Sequence, residues 1–407
     1  MDARSGEEEG QACGGLISYA QSQSSKSADL RVRFGAAGPC AFLTWKVRCT
    51  NNAGVACKAS GRTSHGEYVN RKFGLLFVPL AAVAIGTFSL FARSKATEKH
   101  DVLRAVADVL LPGPPVRFDY QSFNPADGLL YIAHMNADQL VVFDTRSRQI
   151  IANLDGFHQI HGVIAVPELG KIFASATGDH QVLVVDAATL KTIAKVGEIK
   201  YPDGLAYAPT VQRVFVSDEH GDADAVINTT SNTIAASIAL GGGAGNTVYD
   251  TKADRIYVAV HGKNELVTID PLHAKITART PLTDLDDPHG IALDQENRLA
   301  FVAGEGNSKL VVVDLNNMRP GPPFPVGRDP DVLAFDNGTK RLYVAAESGQ
   351  IRVFQEANRT LEQIAELHLP HGHTVAADSK THLVYFPLED LNGKPVLRIM
   401  EWDGGAR

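Results

Sequence analysis

Short apolar segments with an aromatic third residue recur along the C-terminal three-quarters of the chain. They occupy residues 129–132, 171–174, 213–216, 255–258, 299–302, 341–344 and 383–386. Their first residues are separated by 42, 42, 42, 44, 42 and 42 residues. A second run rich in Val and Ile follows each time, and it ends in an acid or an amide in the first six copies, as at Asp144 and Asp314. The chain therefore contains seven copies of one structural unit.

The residue types in these runs predict β-strands. The runs are four to six residues long, rich in Val, Ile, Tyr and Phe, and bounded by Gly, Asn and Asp, which is typical of strands between turns. Solenoids of paired helices have similar periods, but their units do not have this composition. Several strands in a unit of about 42 residues are typical of a β-propeller. We therefore predict an all-β fold, a seven-bladed β-propeller with four-stranded blades.

The seventh unit ends before its outermost strand. Residues 103–112 near the start of the repeat region resemble residues 361–370, which form the predicted outer strand of the sixth unit, and both segments end in proline. We predict that the N-terminal segment supplies the missing strand of the last blade. This pairing would remove two exposed sheet edges, which otherwise promote aggregation.

Composition and charge exclude several classes of function. The chain is 21% charged and 44% apolar, as expected for a folded protein. Residues 97–407 carry 27 basic and 40 acidic side chains, a net charge of −13, so we expect no nucleic-acid partner. The four cysteines all lie within the first 57 residues. The repeat region therefore has no covalent haem attachment and no cysteine ligand for zinc.

An uncharged stretch of 20 residues at 73–92 directly follows Arg71 and Lys72. It predicts that residues 69–96 are either a signal peptide or a membrane anchor. Residues 94–96 form a small-x-small pattern that favours cleavage before Thr97, in competition with a retained anchor. Residues 97–407 would then form the propeller domain outside the cytoplasm, in the periplasm or secreted.

Residues 1–68 show no sustained hydrophobic period, and we predict that they are unstructured. A signal peptide normally begins a protein, so the apolar stretch lies unusually late. One explanation is that translation starts at Val69 and that residues 1–68 are not translated. The other is a cytoplasmic tail on a protein that crosses the membrane once.

The repeated phrase is most complete at residues 299–314, LAFVAGEGNSKLVVVD. It resembles the repeat of the YVTN-repeat, YncE-like extracytoplasmic β-propellers, and the similarity covers residues 102–402. The resemblance implies the seven-bladed fold and a location outside the cytoplasm. It implies no single activity, because propellers carry many unrelated functions.

The regular repeat allows equivalent positions to be compared between units. Ten residues before each aromatic segment stand Asp119, His161, Asp203, Gly245, His289, Asp331 and His373. This position begins the first strand of each unit, which is nearest the channel in a propeller. The second strand is antiparallel to the first, so its end lies at the same face. The residues there are Met135, Thr177, Glu219, His261, Glu305, Glu347 and Glu389.

These two positions place histidines and carboxylates at one face of the disc. We call the six Asp and His residues of the first position the inner ring, and the five Glu and His residues of the second position the outer ring. Imidazole nitrogens and carboxylate oxygens bind divalent metal ions such as zinc, manganese, iron, calcium or magnesium. We predict metal binding by the inner ring and ligand contacts by the outer ring. Asp or His before Gly is also typical of a tight turn into a strand, so a purely structural role is the alternative.

Two functions fit this arrangement. The first is a binding propeller that takes a small molecule, a cation or a partner protein at its acidic, histidine-rich channel face. The second is a metal-dependent hydrolase or lyase of lactonase type, in which a bound ion polarises a carbonyl group. The second function requires a divalent metal ion as cofactor, whereas for the first a cation is one of several candidate ligands. Neither HExxH nor GxSxG occurs in the chain.

Overall fold

The computed structural model describes residues 44–51, 55–62 and 103–403. In the N-terminal part, strands β1 (Thr44–Asn51) and β2 (Val55–Arg62) form an antiparallel pair in which Thr44 lies opposite Arg62. The sequence predicts no regular structure in residues 1–68, and this strand pair lies within that range. The apolar stretch at 73–92 and the predicted cleavage position lie outside the described residues. Across the described ranges, no helix is long and apolar enough to span a membrane.

Residues 103–403 form seven sheets of antiparallel strands. Blades 1 to 3 contain β4 (Gln121–Asn124), β5 (Leu129–His134), β6 (Gln139–Asp144), β7 (Gln149–Asp155), β8 (Ile160–Val166), β9 (Lys171–Ala176), β10 (Gln181–Asp186), β11 (Lys191–Gly197), β12 (Pro202–Ala208), β13 (Arg213–Asp218), β14 (Ala223–Asn228) and β15 (Thr233–Ala239). Blades 4 to 6 contain β16 (Ala244–Asp250), β17 (Arg255–Val260), β18 (Glu265–Asp270), β19 (Lys275–Pro281), β20 (Pro288–Asp294), β21 (Leu299–Gly304), β22 (Lys309–Asp314), β23 (Arg319–Pro320), β24 (Phe324–Pro325), β25 (Pro330–Asp336), β26 (Arg341–Ala346), β27 (Gln350–Ala357) and β28 (Thr360–His368). Short 3-10 helices lie at Met135–Ala137, Pro167–Leu169, Thr177–Asp179 and Glu219–Gly221.

The seventh blade contains β29 (Ala376–Ala377), β30 (Val384–Leu388), β31 (Val396–Trp402) and, as its outer strand, β3 (Leu103–Leu110). The first strand of each blade contacts the first strand of the next, and β29 contacts β4, so the ring is closed. The predicted all-β, seven-bladed propeller is therefore confirmed. Its inner strands surround a central channel.

The predicted closure of the last blade by an N-terminal strand is also confirmed. Leu103 lies opposite Trp402 and Leu110 lies opposite Val396. The Arg398 guanidinium donates two hydrogen bonds, of 2.8 and 2.7 Å, to the Asp108 carboxylate on the partner strand. The two ends of the ring are thus held together by one strand pair, without a covalent link.

The aromatic residue of each repeat lies between the sheets and forms the core of the blades. The seven residues are Tyr131, Phe173, Phe215, Tyr257, Phe301, Tyr343 and Tyr385, and each is at most 2% exposed. Burial of one such ring stabilises a fold by about 2–3 kcal/mol. The spacing of 42 residues thus places one large apolar group in each blade.

Blade 5 differs from the predicted four regular strands. Its outer strand is interrupted, and the short segments β23 and β24 each pair separately with β22. Prolines at 320, 322, 323 and 325 surround Gly321 in this segment. Because proline has no backbone N–H to donate, it is tolerated at a sheet edge but interrupts the hydrogen-bond ladder.

Ionic contacts join neighbouring blades at the other face of the disc. An aspartate that ends the first strand of one blade contacts a basic residue that precedes the second strand of the next. The contacts are Asp250 with Arg298, Asp294 with Lys340 at 3.3 Å, and Asp336 with His382 at 2.8 Å. All three aspartates are completely or almost completely buried. Loss of the basic partner is destabilising, because the buried aspartate then lacks its counter-charge.

A candidate metal centre at one mouth of the channel

One mouth of the channel contains a cavity of about 150 Å³ with a highly polar lining. The residues that line it are Arg117, Asp119, Tyr120, His161, Tyr201, Asp203, Glu219, His289, Glu305, Asp331 and Glu347. They come from the segments that lead into the first strands and from the ends of the second strands, as the repeat register predicts. The structure thus brings eight of the eleven predicted site residues to one cavity.

The three other predicted residues have different positions. His373 is buried directly behind the cavity, where its Nε2 lies 3.9 Å from Asp331 Oδ2. His261 contacts the cavity residue His289. Glu389 does not line this cavity, and its carboxylate lies 3.4 Å from His371 Nδ1.

Gly245 is the one position of the first register without an ionisable side chain, and the structure shows why. A Cβ atom at this position would lie 3.0 Å from His261 Nε2 and 2.8 Å from the Cα of His289. Such contacts are too close, so a larger residue would displace the imidazole of His261. The glycine leaves room for His261, which reaches inward from the outer ring. Blade 4 therefore supplies its histidine from the second strand rather than from the first.

His289 is the most highly connected residue of the site. Its side chain is buried, and its Nε2 lies 3.0 Å from the Tyr120 hydroxyl and 3.5 Å from Asp331 Oδ1. On the other side of the ring, Nδ1 lies 3.1 Å from His261 Nε2 and 3.6 Å from Glu305 Oε1. One imidazole therefore links residues of both predicted rings.

Two groups of side chains have the geometry of metal donors. His261, His289 and Glu305 offer two nitrogens and one carboxylate oxygen, and the donor atoms all lie within 4.8 Å of one another. Asp119, Asp331 and His373 form a second group by the same measure, and all three are buried. A mixed set of imidazole and carboxylate donors suits zinc and other transition-metal ions.

Several polar atoms at this mouth make no hydrogen bond although they are buried. Those that could coordinate a metal ion are Asp203 Oδ1, Asp331 Oδ2 and His373 Nε2. A buried polar group without a partner destabilises a fold by about 1–3 kcal/mol. A bound cation would coordinate such atoms and remove this destabilisation.

Burial changes the ionisation of the site. It lowers the pKa of both His261 and His289 to about 4, so these imidazoles are neutral near pH 7. It raises the pKa of Asp119 and of Glu305 to about 7, with further contributions from neighbouring carboxylates. The pKa values of Asp203 and Asp331 are also raised, chiefly by burial. Neutral imidazole is the form that binds metal, and the carboxyl groups hold protons that a cation can displace.

One basic side chain lies among these acids. The Arg117 guanidinium lies 2.6 Å from Glu347 and 3.8 Å from Asp331. Burial lowers the pKa of Arg117, but the surrounding carboxylates outweigh this effect and raise the pKa overall. The arginine therefore stays charged and offsets part of the negative charge of the cavity.

Sequence reasoning missed Arg117, Tyr120 and Tyr201. Arg117 and Tyr201 have equivalent places in their units, two residues before an inner-ring aspartate, but the other units carry unrelated residues there. The Tyr201 hydroxyl lies 3.1 Å from His161 Nε2. Tyr120 directly follows Asp119, where three other units have glycine. A bulky residue where other units have glycine is a signal that could have pointed to Tyr120.

Comparisons with known proteins support the architecture. No protein-family model matches the sequence. No curated protein matches it either. Among solved structures, a chain of hydrazine synthase from Kuenenia stuttgartiensis is similar to this one with a TM-score of 0.60. The two chains are 14% identical over 71% of this chain and 96% of that chain. At this level of identity the similarity shows the propeller fold alone.

Proposed function

We propose that this chain is an extracytoplasmic propeller of the YVTN-repeat, YncE-like type that binds a divalent cation at the mouth described above. The repeated phrase at 299–314 corresponds to strands β21 and β22 with their connecting turn, and it is the basis for the proposed family. The apolar stretch at 73–92 is the basis for the proposed location. The cation would serve as the ligand, or as the site at which a small molecule or a protein partner binds.

One observation carries the proposal of a cation site. Two donor groups, His261–His289–Glu305 and Asp119–Asp331–His373, each contribute two of their three residues to the lining of the same cavity. His289 Nε2 and Asp331 Oδ1 lie 3.5 Å apart and connect the two groups. If His289 Nδ1 binds the metal, Nε2 carries the proton and donates to the Tyr120 hydroxyl or to Asp331. Such a contact fixes the tautomer and the ring orientation of a metal-binding histidine.

The proposal predicts binding of Zn²⁺ or Mn²⁺ by the full-length protein after treatment with a chelator. We expect saturable binding of one or two ions per chain in isothermal titration calorimetry, accompanied by a rise in melting temperature. His289→Ala removes a donor and a link between the two groups, so the affinity should fall at least tenfold. His261→Ala should weaken binding only at the His261–His289–Glu305 group and leave the second group unaffected.

His273→Ala is the matched control, because His273 is exposed and is hydrogen-bonded to Asp270 away from the cavity. Its metal affinity should equal that of the parent chain. Absence of saturable binding by the parent, or equal affinities for the three histidine variants, would contradict the proposed cation site.

A second candidate function is metal-dependent hydrolysis of a lactone or a related elimination reaction. The raised pKa of Glu305, about 7, favours it because a carboxyl group with this pKa can accept or donate a proton near neutral pH. Hydrolysis of γ-butyrolactone by the Zn²⁺-loaded protein, and its loss when a chelator removes the metal, would support the enzyme. Metal binding without hydrolysis of lactones would favour the binding role.

A further inference from the structure

A second and larger cavity lies at the opposite mouth of the channel. Its volume is about 660 Å³, and it is lined by residues from the middle and the ends of the first strands and from the turns that follow them. The metal-site cavity instead lies at the starts of these strands. Tyr120 lines both cavities, and its hydroxyl contacts His289 on the metal side. This residue therefore forms part of the wall between two chemically different spaces.

The lining of the larger cavity becomes mostly apolar at the position two residues after the inner-ring position of each blade. At this level five blades contribute an aliphatic side chain: Val163, Leu205, Ile291, Leu333 and Val375. The other two contribute the uncharged polar residues Gln121 and Thr247. We call these seven residues the collar. The first position of the repeat carries an ionisable residue in six of the seven units, whereas the collar position carries none.

The two polar residues of the collar have unused hydrogen-bonding capacity. Gln121 Oε1 is buried and makes no hydrogen bond in the structure, and the Thr247 hydroxyl interacts with the Asp224 carboxyl but can still accept a hydrogen bond. Thr247 is only 3% exposed. A buried hydroxyl or amide oxygen of this kind is usually satisfied by a partner, by water or by a ligand. Both residues line the cavity, so a ligand within it could approach them.

Charged side chains occur only at the outer edge of this lining. The Asp378 carboxylate accepts hydrogen bonds from the Lys380 backbone amide at 2.9 Å and from the Thr381 hydroxyl at 2.6 Å. Lys380 is exposed. Neither residue supplies a counter-charge at the depth of the collar. A charged ligand would lose hydration there without compensation, which is strongly unfavourable.

We propose that the collar and the space above it bind an uncharged small organic molecule with an apolar body and a hydroxyl or carbonyl group. The volume lies within the range of about 300–1,000 Å³ that is usual for small-molecule sites. The aliphatic residues contact the apolar body, the Thr247 hydroxyl binds the polar group, and Gln121 offers a second polar contact three blades away around the ring. This site does not depend on the proposed cation function, because the residues that carry the two proposals lie at opposite mouths.

The test uses three probes of equal size and different charge with the full-length protein: 2-naphthalenemethanol, 2-naphthoate and 2-naphthylmethylamine. Saturation-transfer NMR and fluorescence titration measure binding. We expect saturable binding of the alcohol and at least tenfold weaker binding of the anion and of the cation. Thr247→Val keeps the shape of the side chain but removes its hydroxyl group, and it should weaken binding of the alcohol about fivefold, as expected for one lost hydrogen bond.

Leu333→Trp should fill part of the collar and abolish binding, with circular dichroism as the check that the variant is folded. Glu219→Gln, at the opposite mouth, is the control and should leave the affinity for the alcohol unchanged. The proposal is overturned if the three probes bind equally, if the alcohol does not bind, or if Thr247→Val binds it as the parent does. None of these outcomes depends on Zn²⁺ or Mn²⁺ binding. Failure of the small-molecule site can therefore be distinguished from failure of the cation site.

Discussion

Replacement of strand β3 by a flexible linker should destabilise the propeller and make its unfolding less cooperative. In this variant Leu103–Leu110 become four Gly-Ser repeats, so the length of the chain is unchanged. The last blade then loses its outer strand, the buried side chain of Leu103 and the ion pair between Asp108 and Arg398. Burial of one leucine contributes about 2 kcal/mol, and each strand hydrogen bond contributes about 1 kcal/mol. The sum is a large share of the total stability of about 5–15 kcal/mol that is typical of a domain.

Urea unfolding followed by circular dichroism and by tryptophan fluorescence measures this effect. Trp402, one of the two tryptophans of the chain, lies opposite Leu103 and contributes the fluorescence signal of the seam. We expect a lower midpoint, a broader transition and aggregation through the exposed edge of β31. A chain that ends at Asp403 is the control, since it keeps both strands of the seam. An unfolding curve of the linker variant that coincides with that of the parent would show that β3 does not contribute to the stability of the ring.

A buried aspartate in blade 3 should destabilise the protein at neutral and alkaline pH. Asp224 occupies the second position of β14 and is completely buried, and the Thr247 hydroxyl and the Val216 backbone only partly offset the effect of burial on its pKa. The equivalent position of every other blade is a completely buried aliphatic residue: Leu140, Val182, Leu266, Leu310, Ile351 and Leu397. Replacement of an unpaired buried charge by a hydrophobic residue removes its desolvation penalty. We expect Asp224→Leu to raise the free energy of unfolding at pH 8 by about 3 kcal/mol, net of the strain of fitting a larger side chain.

The pH dependence provides a sharper test. Burial raises the pKa of the Asp224 carboxyl from 3.8 to about 7. Between about pH 4 and pH 7 the Asp224 carboxyl therefore keeps its proton in the folded state but loses it in the unfolded state. Stability from this group is therefore greatest in acid and is lost as the pH rises from about 4 to 7. A difference of about three pKa units corresponds to about 4 kcal/mol.

Asp224→Asn isolates this effect, because the amide has nearly the same shape and does not titrate in this range. The difference in unfolding free energy between this variant and the parent should be small at pH 4 and should grow to a few kcal/mol at pH 8. Other groups titrate in the same interval, including His261 and His289 with their lowered pKa values. Subtraction of the parent curve removes their contribution. A difference that does not change with pH would contradict the raised pKa of Asp224.

The period of the sequence was sufficient to predict the fold and the face of the disc that carries the ionisable residues. In a propeller each unit repeats the same local structure, so equivalent positions in sequence become equivalent positions around one axis. This is why the sequence alone predicts Asp119, His161, Asp203, His289 and Asp331 at one mouth. The pairing of β3 with β31 followed from the same period, because the last unit lacked one strand.

The period could not predict contacts that differ from blade to blade. Arg117 and Tyr201 enter the cavity from positions where other units have unrelated residues, so comparison between units gives no signal. Gly245 looked like a gap in the inner ring, yet its missing side chain is what admits His261. Packing between neighbouring blades determines which of the two register positions supplies the histidine. The pattern of residue types along one strand does not show how the blades pack. Asp224 gives no signal in the sequence either, because the burial that makes it unusual depends on packing between blades.

The strand pair that closes the ring also determines how the protein responds to mechanical force. Leu103 and Trp402 lie directly opposite each other at the end of an antiparallel pair, so a pull applied at these two residues acts across the strands rather than along them. The hydrogen bonds between β3 and β31 then break one after another instead of all at once. A small force is therefore expected to open the seam between the two ends of the chain, while the six blades whose strands are consecutive in the chain keep their own pairing.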